Sequence, residues 1–443
     1  MLELKRSLRV RDGLAMVIGI MVGSGIFRTP GSVAAQLGRP TLTLVIWAIG
    51  GVIAFSGALI FAELATRYPR AGGKYVYARA AFGPRAGFVV GWVEGIAIYT
   101  AAIAAIGVVC GEYLGRLLGA SAGQAKVLGV GLIGLFTLIN LSGVASGKWV
   151  QNISTATKVL ALAAVIVAAL WRGTGAGWAT PLATAPQGSA MGGALVVAFQ
   201  AVIWTYYGYL DAGKIAEEVV DPGRNLPRIF LGGIAIVTVL YLLLNVAYFQ
   251  VLPFDQIAGS KLVAADVMAV LFGSGAGTLF AGLALLVVLA SLNGNIFVTP
   301  RVIFGLAREG LGPAALARVN AGGSPWVAML FVGLVAMGLA VTGSFDSLLA
   351  LTITLVLVVD SIAVLSLLVL RSREPGAPFH VPLYPVLPVA FVLMYVALFV
   401  GAVLAQPQST AIALAVIVGT YVLGLLGSRT SDIRHQTSAK TDV

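Results

Sequence analysis

The run Ile18-Gly-Ile-Met-Val-Gly-Ser-Gly-Ile-Phe27 lies in the middle of the first apolar stretch that is long enough to cross a membrane. Glycine costs roughly 1 kcal/mol relative to alanine inside a helix, so Gly23, Ser24 and Gly25 predict that the helix opens here. In lipid, an open helix is tolerated only where its freed backbone groups face protein, a cavity or a ligand. The helix that starts at the opening presents unpaired N–H groups and a positive dipole end, which suits an anion such as a carboxylate.

Composition predicts an all-α integral membrane protein. The chain of 443 residues is 59% hydrophobic and 10% charged, which no soluble domain of this length matches. Counting apolar stretches of about 20 residues gives about twelve membrane spans. The predicted spans lie near residues 12–38, 41–67, 84–118, 124–142, 149–171, 190–217, 227–252, 277–308, 324–342, 345–371, 384–405 and 409–427. The loops between them are short, so the sequence predicts a single transmembrane domain over residues 1–443.

The placement of basic residues predicts the orientation in the membrane. With the N-terminus in the cytoplasm, only five of the 28 Lys and Arg residues fall in outer loops: Arg39, Arg116, Lys126, Arg172 and Lys261. This asymmetry follows the positive-inside rule and puts both termini in the cytoplasm. No small-residue cleavage site follows the basic N-terminus, so we interpret it as an anchor rather than a signal peptide. The net charge of +11 therefore indicates a multi-pass protein of the cell (inner) membrane, not one that binds nucleic acid.

Few residues are available for redox, metal or catalytic chemistry. Cys110 is the single cysteine and cannot form an intrachain disulfide, and the sequence contains two histidines, His380 and His435. Neither a metal-ligand cluster nor a pairing of nucleophile and base is visible. We therefore expect no metal, no cofactor and no enzyme activity.

A second interruption is predicted in the sixth span. Aromatic and polar residues crowd around Gly208 within the run Phe199-Gln-Ala-Val-Ile-Trp-Thr-Tyr-Tyr-Gly-Tyr-Leu-Asp211. Five spans is an odd number, so a second copy of a five-helix unit would enter the membrane inverted. Paired interrupted helices in corresponding positions of two halves indicate a transporter site at the midplane. The predicted inverted repeats cover residues 12–171 and 190–371, and the last two spans, within 384–427, are appended to them.

Four motifs give the chain a resemblance to a known family. They are Gly23-Ser-Gly-Ile-Phe27, Ala62-Glu-Leu with Tyr68-Pro-x-x-Gly-Gly-x-Tyr75, Glu217-Glu-Val-x-x-Pro-x-Arg-Asn-Leu-Pro227, and Leu292-Asn-Gly-Asn with Pro300-Arg and Ala307-Arg-Glu-Gly310. Together they resemble the amino acid–polyamine–organocation (APC) superfamily, and most of all its L-amino acid transporter (LAT) family and related bacterial permeases. The resemblance implies a LeuT-type 5+5 fold with 12 transmembrane helices, of which helices 1 and 6 are broken. It also implies transport of an amino acid by alternating access.

The resemblance assigns roles at both interruptions. It implies that N–H groups at the first interruption, with the Ser24 hydroxyl, hold the substrate carboxylate. At the second, it implies that Trp204 is a gating aromatic residue, that carbonyls of Trp204 and Tyr207 take the ammonium, and that Tyr209 lines the side-chain pocket. The alternatives are helix packing at the first site, through Gly19 and Gly23, and an aromatic interface belt at the second. The predicted substrate-binding residues are Met21, Gly23, Ser24, Gly25, Trp204, Thr205, Tyr207, Gly208 and Tyr209.

Lys158 lies deep in the fifth predicted span, roughly 14 Å from its inner end at a rise of 1.5 Å per residue. A buried ionisable group in a membrane indicates function; the alternative is an early span start that leaves Lys158 near the interface. LAT-like transporters carry a lysine here, where sodium-coupled relatives bind Na⁺, and it bridges helices one and eight. The matching polar row is Ser291, Asn295 and Thr299. The resemblance thus implies sodium independence, with Lys158, Ser291 and Asn295 as coupling residues.

Arg28 and Asp360 are two further charges at membrane depth. Neither is stable alone in lipid, so pairing as a possible outer gate is one hypothesis. The alternative is that each meets water in a vestibule, and Asp360 is also a candidate for proton coupling. At the cytoplasmic side we expect ion pairs among Glu63, Glu217, Glu218, Arg224 and Arg228, which Glu94 could join.

The leading interpretation is a secondary active transporter of L-amino acids that works as an exchanger or a proton symporter. Neutral substrates are favoured because no acidic side chain lies within the two broken segments. A carrier of cationic amino acids or polyamines is the alternative within transport, and a membrane amino-acid sensor is the alternative of another class. Animal LAT members pair with a single-span glycoprotein through a cysteine in an outer loop. Because Cys110 lies within a span, the resemblance supports no obligatory protein partner here.

Overall fold

The computed structural model describes residues 6, 8–70, 72–141, 148–178, 181–182, 185–188, 190–320 and 324–441. Residue 142, the predicted end of the fourth span, lies outside these residues. Within them the fold is helical, and the extended pairing is one isolated bridge between Leu8 and Val219.

Seventeen α-helices run through the described residues, together with short π and 3₁₀ turns. The helices are α1 (Val10–Met21), α2 (Ser24–Leu37), α3 (Pro40–Arg67), α4 (Lys74–Phe82), α5 (Pro84–Trp92), α6 (Tyr99–Leu118), α7 (Ala122–Leu141), α8 (Lys148–Arg172), α9 (Ala190–Tyr206), α10 (Pro222–Val251), α11 (Phe254–Gly259), α12 (Val263–Phe272), α13 (Ser274–Arg308), α14 (Trp326–Thr342), α15 (Phe345–Arg373), α16 (Val386–Ala405) and α17 (Pro407–Thr441). A π turn covers Val93–Ile98, and 3₁₀ turns cover Ala176–Trp178, Tyr209–Gly213, Ala216–Glu218 and Ala314–Ala317.

The helices are those of a multi-pass membrane protein, as composition predicts. Ten helical stretches of the described residues are long and apolar enough to cross a membrane, and the bent pair α1–α2 makes eleven if it is one span. The predicted span 324–342 coincides with α14, an apolar helix of 17 residues. The exact count of twelve spans and the division into inverted repeats stay predictions.

The backbone departs from a regular α-helix at both places where the sequence predicts an interruption. Helix α1 ends at Met21 and α2 begins at Ser24, with an angle of 44° between them. Helix α9 ends at Tyr206, and Gly208 then takes a φ of +118° before the 3₁₀ turn that starts at Tyr209. A side chain would strain this left-handed conformation. A Cβ atom at Gly208 would also lie 2.9 Å from the Ile20 side chain, so the two bends lie against each other.

Close packing and hydrogen bonds hold these bends together. The Tyr241 hydroxyl donates to the Met21 carbonyl at 2.8 Å, which satisfies a carbonyl that the end of α1 leaves free. A Cβ atom on Gly25 would lie 2.9 Å from Cα of Thr205, so α2 approaches α9 more closely than alanine permits. The hydroxyls of Thr29 and Thr205 lie 2.6 Å apart across the same contact.

A buried ion group ties α3 to α15. The Glu63 side chain is fully buried, and its two oxygens lie 2.6 Å from Arg67 Nη2 and 3.2 Å from Arg371 Nη1. The backbone N–H of Val381 donates to the same carboxylate at 2.6 Å. Glu63 is therefore in an ion group as expected, but its partners are Arg67 and Arg371 rather than Arg224 or Arg228.

On the N-terminal side of α1, Leu8 exchanges two backbone hydrogen bonds of 3.0 Å with Glu218 and Val220, so the N-terminal segment meets the chain just before α10.

Candidate functional site

A cavity of about 80 Å³ lies where the α1–α2 bend meets the turn after α9. Its wall combines the bend, the turn and one face of α6 with a few residues of α13 and α15. The lining residues are Ile20, Met21, Gly23, Ser24, Gly25, Ile98, Tyr99, Ala102, Ile106, Trp204, Tyr207, Gly208, Asp211, Ser291, Asn295 and Thr352. Seven of the nine predicted substrate-binding residues are among them.

Two predicted residues lie elsewhere. Tyr209 is buried with its hydroxyl against Gly57 of α3, where a Cβ atom would overlap it. Its side chain is therefore not part of the cavity wall, because the 3₁₀ turn rotates it away from α1. The hydroxyl of Thr205 donates to the carbonyl of Ala201 at 2.8 Å and contacts α2, so Thr205 fixes the contact between α2 and α9.

The beginning of α2 presents backbone donors to the cavity. Ser24 and Gly25 are the first two residues of α2 and both line the cavity. The first N–H groups of a helix have no acceptor within that helix, and they lie at its positive dipole end. Ser24, which is 4% exposed as a residue, adds a hydroxyl. This end of the cavity is therefore chemically suited to a carboxylate.

Aromatic and basic side chains lie beside the cavity near α15. The indole of Trp204 packs edge to face on Phe345, with ring centroids 6.2 Å apart. The guanidinium of Arg28 lies 5.2 Å from the centre of the same Phe345 ring. It pairs with Glu112 at 3.3 Å and Asp346 at 3.9 Å. The hypothesis that Arg28 pairs with Asp360 is wrong, because carboxylates of α6 and α15 nearer to Arg28 take its charge.

Asp360 pairs instead with Lys74, the first residue of α4. Lys74 Nζ lies 2.6 Å from Asp360 Oδ1 and 3.5 Å from Glu94 Oε1. Burial lowers the pKa of Lys74, but the carboxylates of Asp360 and Glu94 outweigh it and raise the pKa above its ordinary value. Lys74 begins α4, a short helix that is not among the candidate spans. Its ammonium group nevertheless lies in the interior, next to Asp360 of α15.

Lys158 joins the first bend to α13. Its ammonium donates to the carbonyl of Gly19 at 2.9 Å and to the hydroxyl of Ser291 at 3.3 Å. Lys158 is 3% exposed, so its ammonium group is buried among the helices, while its depth in the membrane stays a prediction. Ser291 and Asn295 also line the cavity. An ammonium group therefore contacts the carbonyl that precedes the bend by a few residues.

Sequence reasoning missed the contribution of α6 to the cavity. Tyr99, Ala102 and Ile106 of α6 line it from one face, together with Ile98 at the end of the π turn. A π turn shifts the helical register, so this face could not be derived from a regular period. The available signal was the pair of polar residues Glu94 and Tyr99 inside an otherwise apolar stretch.

Asp211 also lines the cavity, although it is not among the predicted substrate-binding residues. Its carboxylate lies 2.5 Å from Lys214 Nζ, one 3₁₀ turn further along the chain. The tight turn explains this contact, because it brings the side chains of residues three apart onto one edge.

The chain matches a known protein family and is similar to known proteins along most of its length. The pattern of the amino acid permease family matches residues 10–423. The chain is 31% identical over 392 residues to the serine/threonine exchanger SteT of Bacillus subtilis (strain 168), covering 87% of this chain and 88% of that protein. It is 30% identical over 420 residues to the human b(0,+)-type amino acid transporter 1, covering 91% and 84% of the two chains. It is 29% identical over 433 residues to the human large neutral amino acids transporter small subunit 2, covering 95% and 81%. These relatives are transporters or exchangers by name, not enzymes.

Proposed function

Because the chain belongs to the amino acid permease family, we propose that it is a secondary active transporter of neutral L-amino acids that works by alternating access. The observation that supports this most is the cavity at the meeting point of the two bends. A mid-span cavity enclosed by interrupted helices is the arrangement that alternating-access carriers use for substrates.

The two ends of the cavity offer different chemistry to an amino acid. The first N–H groups of α2 and the Ser24 hydroxyl would hold the carboxylate. The carbonyls of Trp204 and Tyr207 would accept from the ammonium. The carbonyl of Trp204 already accepts the Tyr207 N–H at 3.2 Å, and a carbonyl oxygen has a second lone pair for the substrate. The faces of α6 and α15 would then enclose the side chain.

We place the coupling machinery at Lys158, Ser291 and Asn295. A fixed ammonium on the Gly19 carbonyl occupies the place where a coupled cation would otherwise neutralise the free carbonyls of the first bend. We therefore propose sodium-independent transport, as exchange or proton symport. We further propose twelve spans, of which the first ten form two inverted repeats, in the inner membrane with both termini cytoplasmic, and no required protein partner.

A carrier of cationic amino acids is the second candidate, and Asp211 is the observation in its favour. Its carboxylate lines the cavity and could pair with a cationic side chain. Lys214 already neutralises that carboxylate at 2.5 Å, so a neutral substrate fits the charge of the cavity better.

Counterflow in proteoliposomes tests both candidates. The purified chain is reconstituted, loaded with one unlabelled amino acid, and offered labelled L-threonine, L-serine, L-leucine, L-arginine or putrescine, with and without sodium. We expect the neutral amino acids to exchange at the same rate with and without sodium. Exchange of arginine or putrescine alone would replace the neutral assignment with the cationic one. Binding without flux for every compound would indicate a sensor.

A further inference from the structure

A cluster of five charged side chains lies beside the cavity, and the proposed binding of an amino acid makes no use of most of it. The members come from α4, the π turn, the segment after α9, and α15. They are Lys74, Glu94, Asp211, Lys214 and Asp360. Among the described residues, the strongest charged neighbours of the two lysines and of the two aspartates are other members of this cluster.

The two ammonium groups of the cluster meet at Glu94. Lys74 Nζ lies 3.5 Å from Glu94 Oε1 and Lys214 Nζ lies 3.9 Å from the same oxygen. Each lysine also has a closer carboxylate, which is Asp360 at 2.6 Å for Lys74 and Asp211 at 2.5 Å for Lys214. The described cluster thus contains three carboxylates and two ammonium groups, which leaves one excess negative charge when all are ionised.

This excess charge lies where it is poorly solvated. The side chains of Lys74, Glu94 and Asp360 are 4%, 3% and 0% exposed. Among the described residues, Asp360 Oδ2 is fully buried and has no hydrogen-bond partner. A buried charge without compensation is strongly unfavourable, and a proton on Asp360 Oδ2 would neutralise it.

The cluster reaches the cavity through Asp211 and through tyrosine hydroxyls that can relay a proton, whereas Asp360 lies behind them. Asp211, Tyr99 and Tyr207 line the cavity, whereas Asp360 does not. The Tyr207 hydroxyl accepts from Lys74 and donates to Asp360 Oδ1 at 3.5 Å. The Tyr99 hydroxyl lies 3.2 Å from Glu94 Oε1 and 3.4 Å from Asp211 Oδ1. An amino acid in the cavity therefore cannot contact Asp360, but hydroxyl groups connect the two.

We propose that this cluster holds one exchangeable proton, centred on Asp360, and that the proton crosses the membrane with the amino acid. The proposal rests on the transport function above and makes the carrier a proton symporter whose proton site is distinct from Lys158. The proton binds a carboxylate oxygen when the cavity faces one side and leaves it on the other. The titratable groups that face Asp360 from the elements around it are Lys74, Glu94, Tyr207, Tyr209, Lys214 and Tyr395. The phenols are neutral near pH 7, so the carboxylates are the groups that can take the proton.

The test compares two activities of the same vesicles. One is accumulation of labelled L-threonine driven by an acid-outside pH gradient, and the other is L-threonine counterflow without a gradient. We expect the wild-type chain to accumulate L-threonine and to carry protons inward with it, read by a pH-sensitive dye in the lumen. Asp360→Asn leaves two carboxylates against two ammonium groups, so the ratio of accumulation to counterflow should fall by about tenfold or more, and dye-detected proton entry should fall to background.

A second variant guards against a folding defect. Glu94→Gln removes the same unit charge from the other side of the cluster and should lower the same ratio. Glu309→Gln is the matched control and should keep the wild-type ratio. Glu309 also pairs with a cation of α4, Arg79, but this pair is exposed, unlike the pair of Lys74 with Asp360. A wild-type ratio in both Asp360→Asn and Glu94→Gln would overturn the proposal. Wild-type counterflow without any response to the gradient would overturn the proton site and leave the transport function standing. Absence of counterflow for every amino acid tested would overturn both.

Discussion

At the residue scale, Gly25 shows how a single missing side chain positions the candidate site. A Cβ atom there would lie 2.9 Å from Cα of Thr205, and backbone cannot move aside as a flexible side chain can. Packing too many atoms into a filled interior costs typically ~1–3 kcal/mol. The glycine that the sequence marks as a helix breaker is therefore also the residue that lets α2 reach α9.

Gly25→Ala should weaken L-threonine binding by about tenfold or more, because the added methyl group pushes the beginning of α2 away from α9. A loss of ~1.4 kcal/mol in binding free energy corresponds to a factor of ten in affinity. The measurement is the concentration that gives half-maximal counterflow. Gly192→Ala on α9 is the control, since a Cβ atom there meets open space. Unchanged affinity in Gly25→Ala would contradict the role of the α2 terminus in binding.

Ser24→Leu should block binding, because a branched apolar side chain would fill the cavity next to the first N–H groups of α2. We expect counterflow to fall to background while the protein still purifies as a folded species. Ser24→Ala is the milder comparison, which removes the hydroxyl and leaves the space free. Normal affinity in Ser24→Leu would move the carboxylate site elsewhere.

Lys158→Met should slow exchange strongly, since it deletes the bonds to Gly19 and Ser291 but keeps the length of the side chain. The check is the counterflow rate at several pH values with and without sodium. Lys126→Met is the control, because Lys126 is exposed. A rate and pH profile equal to wild type would remove Lys158 from the coupling machinery.

At the element scale, the Glu63 carboxylate shows how helices far apart in the sequence are fastened. It pairs with Arg67 within α3 and with Arg371 at the end of α15, and it also accepts the Val381 N–H. The closure of the bundle at this end therefore depends on one buried acid.

Glu63→Gln should lower stability by ~3–5 kcal/mol, because removing one partner of a buried pair leaves the other charge uncompensated. Thermal unfolding in detergent measures this as a drop of several degrees in Tm. Glu309→Gln changes an exposed pair and should cost less than ~1 kcal/mol. Equal Tm values for the two variants would show that the buried Glu63 carboxylate does not stabilise the fold.

At the scale of the whole molecule, the single cysteine bears on assembly. Cys110 is the one cysteine of the sequence and is fully buried in α6. A disulfide to another chain would require it to leave the interior.

We therefore expect the purified chain to transport alone, and Cys110→Ala to retain L-threonine counterflow under oxidising and reducing conditions. A thiol-reactive maleimide should label the wild-type protein only after unfolding. Activity that appears only when a second protein is co-reconstituted would contradict this prediction.

The sequence by itself determined the membrane class, the two places where the helix becomes irregular and the presence of charges within apolar stretches. These are local properties, since apolar length sets the spans and glycine permits the bend near Gly23 and the left-handed backbone at Gly208. The family match over residues 10–423 likewise follows from the order of motifs along the chain.

Only the tertiary structure decided which groups meet. Arg28 pairs with Glu112 rather than Asp360, and Asp360 pairs with Lys74, which lies 286 positions earlier in the numbering. Tyr209 faces Gly57 instead of the cavity because a 3₁₀ turn sets its direction. Such contacts depend on how helices pack and on the register that a π or 3₁₀ turn imposes. The residues next to Arg28, Asp360 or Tyr209 in the sequence do not determine either of these.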